Sequence, residues 1–153
     1  MSLSRWYADR REVRQWQEHT IDQGRKRGFV TTLLGRRRNL PGLRDKDPRI
    51  SGHAERAAIN TPIQGSAADI VTAAMIRIHA DRRLKELGWK LLLQVHDEVI
   101  VEGPEESAEE AQRIVVECME APFPTSDGLS YHNPLLVDLT VDSKYAKTWF
   151  DAK

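Results

Sequence analysis

The chain has 153 residues, 40% of them hydrophobic, one cysteine (Cys118) and no apolar run approaching a membrane span. That suits one domain or one lobe of a larger one, and it excludes a transmembrane helix and an internal disulfide. The start lacks the apolar core of a signal peptide, and one cysteine fits a reducing compartment. Net charge is zero, 23 basic residues against 23 acidic, but it is segregated: residues 1–40 hold ten Lys/Arg against four Asp/Glu, and residues 98–128 hold nine acidic residues against Arg113 alone. A neutral total therefore does not exclude nucleic-acid binding, because a basic face can coexist with an acidic one.

In chain order, residues 3–27 read as a helix. Trp6, Val13, Trp16 and Ile21 form an imperfect apolar stripe, and Gly28 is the stop after Arg25, Lys26 and Arg27. Residues 29–40, pivoting on Gly35 and closed by Pro41, read as a short hairpin, and 41–52 as a polar loop. A long helix follows, with Ala67, Ile70, Val71, Ala74, Met75 and Ile78 at i, i+3, i+4 spacing, running to about Leu84 and ending before Gly88. Its start has two readings: Thr61 is the cap with Pro62 at the first helical position, or a helix from near Ser51 bends at Pro62. Ala57, Ala58, Ala67 and Ala68 are expected in the core.

Residues 91–101 read as two buried strands around a His96-Asp97-Glu98 tip. Residues 104–120 read as a helix that opens with acidic residues, as the helix dipole favours, and Cys118 falls on its apolar face. Residues 122–133 read as a loop, 135–141 alternate like a strand, and 143–150 read as a last short helix. Asp138 and Asp142 fit that strand and its end. The order of elements predicts an α+β fold, helices packed on an antiparallel sheet.

Two stretches carry chemistry. Carboxylates at the tip of a stiff hairpin, Asp97 and Glu98, are placed to grip a hard divalent cation. Arg56, Asn60 and Gln64 stand at i, i+4, i+8, along one helix face that can track a duplex. Arginine grips phosphate, while Asn and Gln reach the minor-groove acceptors that every base pair presents. Pro62 and Gly65 are costly inside a plain helix, and such costs gather at functional sites.

Residues 91–101, with their tip Val95-His96-Asp97-Glu98, resemble motif C of the family A, polymerase I type, DNA polymerases. Residues 55–69 (Glu-Arg-Ala-Ala-Ile-Asn-Thr-Pro-Ile-Gln-Gly-Ser-Ala-Ala-Asp) and 28–41 (Gly-Phe-Val-Thr-Thr-Leu-Leu-Gly-Arg-Arg-Arg-Asn-Leu-Pro) are similar to the same family. Residues 84–90 and 144–149 look most like its plant and protist organellar branch. The resemblance covers residues 6–153. It implies that 1–153 is the C-terminal portion of a polymerase catalytic domain, part of the palm with the base of the fingers. Residues 1–50 form a helix and basic hairpin, and 51–153 hold the palm-associated helix, the motif C hairpin, a helix and a strand.

By the same resemblance, the activity is template-directed two-metal nucleotidyl transfer. Asp97 is a metal ligand, Glu98 an outer contributor, His96 lies near the primer strand, and Arg56, Asn60 and Gln64 contact primer–template DNA. The implied cofactor is Mg2+, its site completed by an Asp outside this chain. The implied partners are primer–template DNA, deoxynucleoside triphosphates and the rest of the polymerase chain, with no membrane. The implied location is intracellular, in a plastid or mitochondrion or otherwise the cytoplasm. The arginines of 36–38 face nucleic acid or form a solvated basic hairpin.

The family's first catalytic Asp motif and its nucleotide-binding fingers motif are absent, so the isolated chain is expected to be inactive. One alternative is a non-catalytic nucleic-acid-binding remnant. Another is a metal phosphohydrolase of the His-Asp type using His53 or His79, His96-Asp97 and Asp142, which requires the His-Asp pair to sit on helices.

Overall fold

A computed structural model describes residues 3–123 and 135–152. The fold is α+β, as expected, and the chain divides into two compact units, Met1–Asp69 and Ile70–Lys153.

In the first unit the expected helix is two, α1 (Leu3–Asp9) and α2 (Arg11–Arg27), parted at Arg10, whose guanidinium lies over the Trp6 ring. Gly28 ends α2 in the left-handed conformation (φ 83°) that glycine adopts without steric cost, and its N–H closes on the Gly24 carbonyl. Trp16 is exposed; α2 turns Ile21 and Gly24 inward. The hairpin forms from β1 (Phe29–Thr31) and β2 (Arg37–Asn39), antiparallel with Val30 opposite Arg38.

The polar loop expected over 41–52 is corrected. Pro41–Arg44 is a 3-10 turn that buries Leu43, and α3 (Pro48–Asn60) begins inside the segment. The overlooked signal is Asp47-Pro48: the aspartate accepts the Arg49 N–H as an N-cap, and proline fits the first helical position. Val30, Leu40, Leu43, Ala54 and Ala58 close this unit's core.

Of the two starts weighed for the long helix, the earlier one is found. The chain runs through α3, passes a π turn at Thr61–Gly65 that contains Pro62, and continues as α4 (Ser66–Ala80). Ala58 is buried, but Ala67 and Ala68 are exposed, because they lie on the face of α4 turned away from Asp69.

In the second unit the helix ends at Ala80 rather than Leu84. Asp81 accepts the N–H groups of Arg83 and Leu84 and so caps a separate helix, α5 (Arg82–Glu86). β3 (Lys90–Val95) pairs antiparallel with β4 (Glu98–Glu102). A 3-10 turn, Glu105–Ser107, leads into α6 (Ala108–Glu120). Ile78, Leu84, Ala111, Ile114, Val115 and Cys118 form the core, with Leu91, Val99 and Val101 against it.

The strand expected over 135–141 is not found. Neither sheet includes it, and Leu136 and Val137 are exposed. Alternating sequence makes a strand only where a neighbouring ladder takes up its backbone groups. The last helix is shorter than expected, α7 (Trp149–Ala152). The loop expected over 122–133 lies largely outside the described residues.

Candidate nucleic-acid interface and metal-binding tip

Arg56, Asn60 and Gln64 are all exposed. Ala54 and Ala58 anchor α3 into the core, which leaves Arg56 and Asn60 on the opposite side. Asn60 Nδ2 donates to Gln64 Oε1 at 2.9 Å. The π turn explains why these side chains line up. An α-helix turns about 100° per residue, so each four-residue step drifts by ~40°. A turn closed i→i+5 holds roughly one more residue and rotates only ~80° per residue, so the step from Asn60 to Gln64 returns the drift that Arg56 to Asn60 added. The Arg56 side chain makes no hydrogen bond or ion pair among the described residues, so its guanidinium is available to phosphate.

The π turn is held from outside. Pro62 contributes no N–H, and nearby carbonyls are taken by hydroxyls: Thr61 Oγ1 donates to Ala57 O at 2.7 Å, and Ser66 Oγ donates to Pro62 O. The turn between β1 and β2 then docks on it. Leu33 N–H donates to Ser66 Oγ at 2.8 Å, Arg36 Nη2 to Gly65 O at 2.9 Å and Arg38 Nη1 to Thr61 Oγ1 at 3.1 Å. Gly65 permits this approach, since a Cβ there would meet Thr32 Cγ2 at 2.5 Å.

Beneath lies Asp69, 4% exposed, receiving Arg36 Nε and, at 3.2 Å, Leu34 N–H. Burial alone would raise its carboxyl pKa. Hydrogen bonds from Thr32, Arg36 and Leu34 outweigh burial and hold it below its ordinary value. The arginines of the basic hairpin therefore divide: Arg36 and Arg38 bind the helix, and Arg37 lies 4.7 Å over the Phe29 ring. Sequence reasoning passed over Asp69, Thr32 and Ser66. Two polar residues on the helix and one in the hairpin, with no periodicity, gave no sign that they meet.

In the second unit, His96 and Asp97 form the two-residue connection between β3 and β4, and Val95 pairs with Glu98. His96 holds φ 55°, a left-handed conformation uncommon for a residue with a side chain. Gln94 Nε2 donates to the His96 carbonyl. Asp97 and Glu98 are exposed, and their carboxylates make no hydrogen bond or ion pair among the described residues.

The strands are not buried on both faces as expected. Leu91 pairs with Val101 but Leu93 with Ile100, so Leu92 is the extra residue of a β-bulge. The bulge reverses the alternation. Leu91, Val99 and Val101 face the core, while Leu93, paired with Ile100, and Val95, paired with Glu98, stand on the other face, where Leu93 is 39% exposed. Asp138 and Asp142 are exposed in irregular segments, and His53 and His79 are exposed on helices. Among the described residues no three of His, Cys, Asp and Glu converge as a metal site. The tip offers two carboxylates, the hard oxygen donors that divalent cations such as magnesium take. The phosphohydrolase alternative fails here, since the His-Asp pair sits at a hairpin turn and not on helices.

Three comparisons bear on this arrangement. A family model described as DNA polymerase family A matches residues 2–151. The chain is 55% identical over 152 residues to DNA polymerase I A, chloroplastic, of Oryza sativa subsp. japonica, covering 99% of this chain and 14% of that protein. It is 42% identical over 151 residues to DNA polymerase I of Geobacillus stearothermophilus, covering 99% of this chain and 16% of that one. Its fold is similar to the POL domain of Pol1 from M. smegmatis, solved in complex with DNA primer–template and dNTP. The TM-score is 0.66 at 44% identity, over 72% of this chain and 20% of that one. The chain thus spans a small part, about one seventh, of the curated relatives it matches. No helix among the described residues is long and apolar enough to cross a membrane.

Proposed function

The chain belongs to DNA polymerase family A, and on that premise we propose that it supplies one part of a DNA-directed DNA polymerase that performs template-directed, two-metal nucleotidyl transfer. The observation that carries the reading is the tip: two exposed carboxylates fixed at the turn of a hairpin whose inner face is packed into a core. Asp97 is the proposed metal ligand and Glu98 the outer contributor. A further aspartate outside this chain completes the set. Magnesium, when bound, supplies activation of the primer 3′-hydroxyl and neutralises charge on the triphosphate. His96 stands beside the primer strand.

Arg56, Asn60 and Gln64 track the primer–template duplex, with Gln64 and Asn60 reading minor-groove acceptors common to all base pairs. Deoxynucleoside triphosphates and the remainder of the polymerase are the other partners. An organellar location is supported by the chloroplastic relative.

The test is a chimera in which residues 1–153 replace the matching segment of the Geobacillus stearothermophilus polymerase. The chimera is expected to extend a primer, with Asp97→Ala lowering the rate by about a thousandfold, in the range seen when a key charge-stabilising group is lost. The isolated chain is expected to bind duplex without extending it. A well-folded chimera that does not extend the primer would favour the non-catalytic remnant instead.

A further inference from the structure

Among the described residues, polar contacts between the first unit's hairpin and its helix gather on the five-residue π turn and the four residues after it: Arg38 on Thr61, Arg36 on Gly65, Leu33 on Ser66, and Arg36, Leu34 and Thr32 on Asp69. Gln64 sits inside that turn, exposed, between a glycine whose missing Cβ admits Thr32 and a proline that cannot continue the α ladder. A π turn lacks the hydrogen-bond economy of an α-helix and persists where its surroundings over-determine it. Ordinary α geometry in its place would swing Gln64 by roughly 80° from Arg56.

We propose that Asp69, with Arg36, is a positioning residue for DNA binding: the buried carboxylate clamps the β1–β2 turn onto the π turn and so keeps Gln64 in line with Arg56 and Asn60. The inference rests on the proposed reading of those three side chains as the duplex-tracking face. Asp69 itself is 4% exposed and turned away from that face, so it touches no nucleic acid. Its effect on binding passes entirely through Gln64.

The test is a double-mutant cycle on the 153-residue chain, reading the affinity for a primer–template duplex by fluorescence anisotropy. Gln64→Ala is expected to weaken binding about threefold to tenfold, the loss of one hydrogen-bonding group. Asp69→Asn is expected to weaken it by a similar factor, and to add nothing in the Gln64→Ala background. Arg36→Lys, which keeps the charge but loses the two-pronged grip and is 61% exposed, is the gentler second variant should Asp69→Asn unfold. Amide hydrogen exchange at residues 63–66 is expected to speed up in both variants while α2 stays protected.

Losses that multiply in the Gln64→Ala background, or unchanged exchange in the π turn, would overturn the proposal. So would wild-type affinity in both clamp variants. Duplex binding that neither Arg56→Ala nor Gln64→Ala alters would overturn the reading of the face itself, a result distinguishable because the exchange data still report whether the clamp holds the turn.

Discussion

Asp69 is a buried carboxylate whose donors outweigh its desolvation, and this gives the chain a defined acid sensitivity. Its pKa in the fold is lowered from 3.8. The stabilisation is therefore fully present above 3.8, where the unfolded chain is also ionised, and is lost as pH falls below 3.8 through the folded value. Asp69→Asn is expected to cost about 1–3 kcal/mol at neutral pH, as for a buried hydrogen-bonded group. It should also flatten the acid limb of a stability profile below pH 3.8. An unchanged limb in urea melts across that range would contradict this.

His96 is the opposite kind of residue, held at φ 55° where glycine is the usual occupant. In His96→Gly, relief of about 1 kcal/mol of strain and the added backbone entropy of glycine nearly cancel. The melting temperature should stay close to wild type while duplex affinity falls. A residue that costs nothing to remove from the fold is then one retained for binding.

At the scale of elements, the π turn and the hairpin are one device. Gly65→Ala places a methyl against Thr32 Cγ2 and is expected to destabilise by about 1–3 kcal/mol, the range for overpacking. Thr32→Ser removes that carbon yet keeps the hydroxyl that accepts the Arg36 N–H at 3.1 Å and bonds Asp69. Combined, the two should recover most of the loss in denaturant melts. Simple additivity would mean that the hairpin approaches the helix elsewhere.

The β-bulge at Leu92 is a second such device, for it decides that Leu93 and Val95 stand on the face opposite Leu91. Neither feature is written in a period. The sequence over 55–69 showed polar spacing and two helix-breaking residues but not the extra residue per turn. The three leucines at 91–93 read as burial on both sides when one of them is an insertion.

At the scale of the molecule, the charge divides with the two compact units. Met1–Asp69 holds fourteen Lys/Arg against eight Asp/Glu, a balance of +6, and Ile70–Lys153 holds nine against fifteen, a balance of −6. The basic unit carries the proposed duplex face and the acidic unit the proposed metal-binding tip, which suits phosphate tracking in one and cation binding in the other. The second unit also exposes Leu92 at 53% and Leu93 at 39% on its two-stranded sheet. An apolar sheet face of two strands invites association, and a lysine on it is the usual deterrent. The chain is expected to sediment with a concentration-dependent mass, and Leu93→Lys to move it toward the monomer with the far-UV spectrum unchanged. A wild-type chain that stays monomeric across that range would show that the face is satisfied.

The amino-acid sequence by itself determined the family, the α+β class, the hairpin tip of His96, Asp97 and Glu98, and the polar line of Arg56, Asn60 and Gln64. These are local facts: a contiguous motif, a two-residue connection, a helical spacing. Tertiary structure alone decided that Arg36 and Arg38 bind the helix, that Asp69 is buried among hairpin donors, that Leu93 is uncovered, and that residues 135–141 pair with neither sheet. The first two depend on a partner more than twenty residues away, the third on a bulge that shifts the register, and the last on whether a ladder exists to pair with. A polar side chain looks the same in sequence whether its partner is water or a buried carboxylate.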